Sequence, residues 1–565
     1  MSRTIAIGEQ YFQNLRQHDL FYVDKTKFIE EWWNSRSPVT LITRPRRFGK
    51  TLMLDTVNTF FSQEFAGRSD LFEGLEIWKE EKFHKLQGRF PVIFLSFARI
   101  NDDNYSDLIS RIKTSLASIY GSFSRLIDID AIPYAERGIF TSVHDSMTDD
   151  RAKDALHYLC KFIKDQHNIK PIILLDEYDT PFHAAWINKY WDKLINFMHG
   201  FFNATFKDNP YLERGLIIGI TRVAKESIFS DMNNLDVVGT TSSNYTDCFG
   251  FTEQEVFSAM DQYGMTEKEK VRQWYDGFIF GRTKGIYNPW SIINYLKKQE
   301  FVAYWANTSS NKIVGEMIIQ ADEDVKEETM ELLKGKSIEI MMEEEIAFSQ
   351  LDEPGAIWSF LTAAGYLKPI SFNLEKKEYT LTLTNHEVHI VLNTLISNWF
   401  KNSITYNRKF IKALLSDNLE DMNINLNHIT KNVFSFFDTS GHEPERFYHG
   451  FVLGLIVDLK DRYAIKSNRE SGEGRYDVMM FPKKGNDKGI IIEFKTLHSE
   501  KDLNLEKTCK NALKQIREKR YVTELTNSSV NESKVYVYGF GFMGKNVLIC
   551  GGCSDKIDWK SVLEG

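Results

Sequence analysis

No window of the sequence approaches the roughly 18 uninterrupted apolar residues that a membrane-spanning helix needs. The first residues, MSRTIAIGEQYF, also lack the basic-then-apolar pattern of a secretory signal. Both absences predict a cytoplasmic protein with no membrane partner. Cysteine is scarce: five residues, at 160, 248, 509, 550 and 553, are odd in number and mostly scattered. Such a set suits a reducing compartment with free thiols and excludes a disulfide framework. Cys550 and Cys553 form a C-x-x-C without a second pair or a nearby histidine, so the expectation is a buried strand end followed by a Gly-Gly turn, not zinc. With 12 prolines, 33 glycines and no low-complexity block in 565 residues, long disordered tracts are excluded too.

What is present is an ordinary globular composition, 42% hydrophobic and 26% charged, on a chain long enough for roughly three or four domains of about 150 residues. From about residue 4 to 261, strand-like runs (VTLIT at 39–43, FPVIFLSF at 90–97, KPIILLD at 170–176, RGLIIGIT at 214–221) alternate with longer helical stretches. That alternation predicts an α/β domain with a mostly parallel sheet. Aromatic-rich helical sequence follows to about residue 307, then an acidic helical block (DEDVKEETMELL) whose charge reads as a solvated face. AGYLKPISFNLEKKEYTLTL predicts a hairpin leading into a helix. The division expected is an α/β core over 1–256, an aromatic-rich helical segment over 257–310, a mainly helical connecting region with a β-hairpin over 311–440 and a C-terminal α/β domain over 441–565.

The segment VTLITRPRRFGKTLML sets a strand before a loop and a helix after it. Backbone amides of such a loop, with those of the helix start, can wrap a phosphate chain. Gly49, Lys50 and Thr51 supply the G-K-T: Lys50 would reach the β- and γ-phosphates of ATP, and the Thr51 hydroxyl would hold Mg2+. Arg44 stands where the usual pattern has its first glycine. At the end of KPIILLD, Asp176 would act on the magnesium shell and Glu177 would orient and deprotonate the attacking water; a pair capping a turn is the plainer alternative. A further strand ends in Thr221 and Arg222, where an arginine could meet the nucleotide of a neighbouring subunit in a homo-oligomer or merely face solvent.

The C-terminal segment from Gly441 carries 21 Lys+Arg against 18 Asp+Glu, a mildly basic end on a chain of net charge −8. Within it, IIIEFKTL ends a buried strand with Glu493 and Lys495, two positions apart and therefore on one face. Asp477 opens the preceding hydrophobic strand, and a turn (KKGNDKG) joins the two. Hairpin-adjacent strands can bring Asp477 and Glu493 together as hard oxygen ligands for Mg2+, with Mn2+ as a substitute. Lys495 would stand beside the metal-bound water or the scissile phosphate. Lys514, Arg517, Lys519 and Arg520 fall on a predicted helix that could track phosphates or simply be a basic surface.

The segments FYVDKTKFI, RPRRFGKT, LLDEYDTP, GITRVAKESIFSDMNNL, YDGFIFG and YNPWSI, in this order, resemble the predicted AAA-type ATPase family over about residues 4–310. The resemblance implies that the arginine-rich loop, with Arg44 and Arg47, stands in the phosphate-binding position. It also implies that Lys50, Thr51, Asp176 and Glu177 keep their roles, and that YNPWSI begins a helical or winged-helix lid. ERFYHGFVLGL, SNRESGEGRYD, IIIEFKTL and ALKQIREKRY similarly resemble a PD-(D/E)XK nuclease superfamily domain over roughly 443–550. By that likeness Glu445 completes the metal shell, Gln515 supports the site, and the partner is nucleic acid, DNA ahead of RNA. The fold class expected is multidomain α/β, and the function an ATPase coupled to a metal-dependent nuclease. The alternative is a nucleotide-dependent switch whose nuclease-like domain grips nucleic acid or a protein without cutting.

Overall fold

The computed structural model describes residues 3–221, 228–229, 232–307, 314–315, 317–318, 321, 323–342, 355–399, 404–433, 444–471, 474–484, 487–497, 504–528 and 530–564. They form two compact units, Met1–Met317 with Gly335–Val391, and Ile318–Lys334 with Leu392–Gly565. No described helix is long and apolar enough to cross a membrane.

The first unit is built on strands β1 (Val39–Thr43), β2 (Val92–Ser96), β3 (Ile172–Asp176), β4 (Arg214–Gly219) and β5 (Leu235–Val238), in the order β2-β3-β4-β1-β5. Every pairing is parallel. β1, β3 and β4 are buried along their whole length, which is why their sequences are continuous apolar runs and do not alternate. β4 lies between β3 and β1, so the loop after β1, the acid ending β3 and Thr221 beyond β4 share the carboxyl edge of the sheet, the edge where open α/β sheets hold ligands.

A second layer of the same unit begins at β6 (Phe251–Thr252), whose Thr252 caps the next helix, Glu253–Gln262, in a reciprocal capping box with Glu255. β7 (Phe278–Phe280) and β8 (Thr283–Tyr287) form a hairpin, and Asn288 then caps helix Pro289–Lys298 by accepting the amides of Trp290 and Ser291. β9 (Ile338–Met341), β10 (Leu367–Asn373) and β11 (Glu378–Leu383) make a small antiparallel sheet in the order β10-β11-β9, with β10 and β11 as the expected hairpin.

The second unit carries β12 (Tyr463–Ser471), β13 (Gly474–Pro482), β14 (Gly489–Thr496), β15 (Val535–Met543) and β16 (Asn546–Cys553), in sequential order. Among these described strands only β14 and β15 pair in parallel. Val478, Ile492 and Phe540 pack on one face with helix Pro444–Ile456; Met479, Ile491 and Val537 pack on the other with helix Leu505–Glu518. The outer strand β16 is closed off by helix Leu419–Val433. Its Asn423 side chain both donates to the Ile549 carbonyl and accepts the Ile549 amide, and Asn427 does the same at Val547. Side-chain amides thus satisfy an edge that would otherwise invite pairing with another chain.

Three sequence expectations need correction here. Cys509 and Cys550 form a disulfide, with Cα atoms 6.1 Å apart, because helix Leu505–Glu518 crosses the sheet directly over β16; only Cys160, Cys248 and Cys553 are free. Gly551 and Gly552 do not turn the chain but continue β16 opposite Tyr538 and Val537. A Cβ at Gly551 would lie 2.0 Å from the Val537 carbonyl oxygen, so close backbone approach explains that glycine. Finally, the basic helix ends at Glu518, leaving Lys519 and Arg520 beyond it.

Candidate active sites

In the first unit, β1 delivers the chain into the loop 44–49, and Gly49, at φ +78°, starts helix Lys50–Phe61. That backbone conformation, which L side chains rarely adopt, is what the glycine supplies. Lys50 is buried and folds back over its own loop, donating from Nζ to the carbonyls of Arg44 (3.0 Å) and Pro45 (2.8 Å). Burial pulls its ammonium down to about 8 despite the neighbouring acids Glu177, Asp179 and Asp176. The Thr51 hydroxyl donates to Asp176 Oδ2 at 2.9 Å, across 125 residues of sequence. Burial, followed by the charge of Glu177, pushes the Asp176 carboxyl up to about 6; its Oδ1 is buried with no hydrogen-bond partner among the described residues. Glu177 sits in the left-handed region, φ +50°, and accepts from the Thr180 hydroxyl.

The arginines of the loop divide. Arg44 does not present its guanidinium to the loop mouth. It is fully buried, donates to the carbonyls of Thr43, Val238, Gly239, Asn244 and Tyr245, and lies over the Phe280 and Phe249 rings. Burial lowers its pKa to about 10. Its side chain is therefore a tie between the loop and the segment after β5. Arg47 is exposed and lies over Trp290, 4.2 Å from the ring centroid. Arg222 falls outside the described residues.

Two residues not singled out from the sequence join this site. Asp179 is buried and accepts the amides of Ile220 and Thr221 and the Thr221 hydroxyl, each at 2.9 Å, fastening the turn after β3 to the end of β4. Asn288 donates to the Arg46 carbonyl at 3.1 Å, joining the second layer to the loop. Both stand inside motifs quoted above, LLDEYDTP and YNPWSI, which was the available signal.

In the second unit, β13 and β14 pair Val478 with Ile492 and Met480 with Ile490; continued one step, that register sets Asp477 opposite Glu493. Directly opposite residues project from the same face, as do Glu493 and Lys495. The Asp477 amide donates to Glu493 Oε2 at 3.3 Å, and Asp477 Oδ2 accepts the Phe494 amide at 2.8 Å. Gln515, from helix Leu505–Glu518 on that same face, donates to Glu493 Oε1 and lies 3.5 Å from the Tyr521 hydroxyl. Glu493 is buried, and the partly exposed Lys495 ammonium lies 3.9 Å from its Oε1. The residues fit a divalent cation. They bring two hard carboxylates onto one face, the kind of oxygen donors such an ion takes. Glu445 lies in helix Pro444–Ile456, but its side chain is outside the described residues.

The comparisons with known proteins fall on these two sites. The family model described as Predicted AAA-ATPase matches residues 6–229, and that of the PD-(D/E)XK nuclease superfamily matches 443–551. The chain carries both domains. The ATPase domain's match encloses the loop, Asp176 and Asp179; the nuclease-superfamily domain's match encloses Asp477, Glu493, Lys495 and Gln515. A protein of Azotobacter chroococcum mcd 1, described as "Uncharacterized protein in vnfD 5'region", is 26% identical over 328 residues. The match spans 57% of each of the two chains. Domains of these two classes generally use nucleotide and divalent metal.

Proposed function

We propose that the protein hydrolyses ATP in its first unit and, with Mg2+ or Mn2+, cleaves phosphodiester bonds of nucleic acid, DNA ahead of RNA, in its second. The observation that carries the reading is the convergence of Asp477, Glu493, Lys495 and Gln515 on one face of one sheet end, since a binding surface for a polyanion has no use for paired carboxylates. A bound divalent ion would supply a water of lowered pKa and neutralise charge developing on the phosphate. Asp477 and Glu493 would hold it, Gln515 would fix the rotamer of Glu493, and Lys495 would place its ammonium beside the reacting phosphate.

At the ATPase domain, Lys50 and Thr51 would meet the phosphates and their metal, Asp176 would orient Thr51, and Glu177 would take the proton of the attacking water. The lid over 257–310, the connecting region and a homo-oligomeric state, with Arg222 reaching a neighbour's nucleotide, belong to the same reading. A nucleotide-dependent switch that grips nucleic acid or protein without cutting is the second reading, favoured by the Lys495 ammonium resting near Glu493. One experiment separates them: incubation of linear, circular and single-stranded DNA and of RNA with the protein and Mg2+ or Mn2+, with and without ATP. Cleavage lost in Lys495→Ala supports the enzyme; intact substrates under every condition overturn it.

A further inference from the structure

A groove of about 580 Å3 opens in the first unit between the β7–β8 and β10–β11 hairpins, well away in sequence from the nuclease-superfamily domain. Among the described residues its lining includes Arg282, Lys284 and Lys368 and no carboxylate. Lys368 is tethered to the Thr384 carbonyl at 2.8 Å, near Asp276, so the unengaged charge is that of Arg282 and Lys284. Both are exposed, and neither has an ion-pair partner among the described residues. On the opposite wall Phe372 is 47% exposed and packs on Tyr379, its register partner across the hairpin, with ring centroids 4.4 Å apart.

An aromatic ring backed by a second ring and left half in solvent, in one groove with two cations that have no ion-pair partner among the described residues, is poorly explained by folding. The apolar face gains nothing from exposure, and unpaired cations hold no structure together. We infer that this groove binds a single strand of nucleic acid, its phosphates on Arg282 and Lys284 and an unstacked base on Phe372. Free charge of one sign complements a polyanion, and a stacking platform serves only bases that are not already stacked in a duplex. The groove also touches the nucleotide site. Pro45, whose carbonyl accepts from Lys50, lines it, and Phe278 and Phe280 of its wall pack on Phe48 of the phosphate loop, with centroids 4.7 and 5.4 Å away. The inference rests on the proposed function only for the class of partner; the residues are separate.

The test is fluorescence anisotropy of a labelled oligothymidylate of about 20 nucleotides with the full chain, in EDTA so that no cleavage occurs, over about 0.05–0.2 M salt. Wild type is expected to bind. Phe372→Ala should weaken binding roughly five-fold or more, with Phe372→Tyr restoring it. Arg282→Ala with Lys284→Ala should reduce the slope of log K against log salt by about 1.4, at about 0.7 per phosphate released. Wild-type affinity in Phe372→Ala, an unchanged slope in the double variant, or equal competition by poly-glutamate of matched charge would each overturn the inference. Cleavage by wild type alongside unaltered groove variants would sink the groove and leave the nuclease reading standing. No cleavage by wild type alongside groove-dependent binding would do the reverse.

Discussion

Asp477 and Glu493 hold each other's strands in place: the backbone of the first donates to the carboxylate of the second, and the carboxylate of the first accepts the amide that follows the second. Each acid is therefore oriented by the strand that carries the other. Glu493→Ala should abolish Mn2+ binding measured by calorimetry, and Gln515→Ala should weaken it roughly 10- to 100-fold. Lys495→Ala should retain the ion and lose cleavage. Unchanged Mn2+ affinity in Glu493→Ala would remove the pair from any metal role.

Asp176 is an acid kept in a place that disfavours its charge. Its folded pKa, about 6, lies above the ordinary 3.8, so the folded chain binds more protons than the unfolded one between those values. Stability contributed at low pH is consequently lost as pH rises through that window. Asp176→Asn should stabilise the nucleotide-free protein above pH 6 by ~3 kcal/mol, with no gain below the lower value, while ATP turnover disappears. Thermal unfolding at the two ends of the window should show the gain at the upper end and none at the lower; a midpoint that falls in Asp176→Asn at neutral pH rules this out.

Arg44 is expected to matter for folding more than for phosphate. Restoring the usual glycine by Arg44→Gly would remove a guanidinium that donates to five carbonyls and should cost ~3 kcal/mol or more, seen as a lower thermal midpoint. Arg44→Lys should recover little, because one ammonium cannot span acceptors that a planar fork of five N–H groups reaches. A variant with wild-type stability and weakened ATP binding would return Arg44 to the phosphate site.

The disulfide predicts a thiol count. Alkylation of the unfolded, unreduced protein should label Cys160, Cys248 and Cys553, and reduction should expose Cys509 and Cys550 as well. Mass spectrometry of the peptides decides it; label on Cys509 before reduction rules the bond out. Closing a loop of 41 residues should stabilise the second unit by about 4 kcal/mol, so reductant should lower its thermal midpoint.

The strands that position both sites were legible because they are buried on both faces and read as unbroken apolar runs, VTLIT, IILLD and IIIEF. β5, LDVV, does not read as a strand from its sequence. It is short, carries Asp236 and lies at the sheet edge, where burial is partial and the apolar signal correspondingly weak.

Local pattern by itself determined the shared face of Glu493 and Lys495, the strand–loop–helix around Lys50 and the acid ending β3, because strand alternation and turn chemistry act over a few residues. Register and distant partners lay beyond it. That Asp477 stands opposite Glu493 depends on where the KKGNDKG turn closes, and a slip of one residue would send the two acids to opposite faces. That Arg44 turns inward depends on carbonyls up to 201 residues away, and that Cys509 meets Cys550 depends on how a helix crosses a sheet. Residue type states what a side chain can bond; only the packed tertiary structure decides which acceptors come within its reach, because burial removes water as the default partner and leaves those the fold supplies.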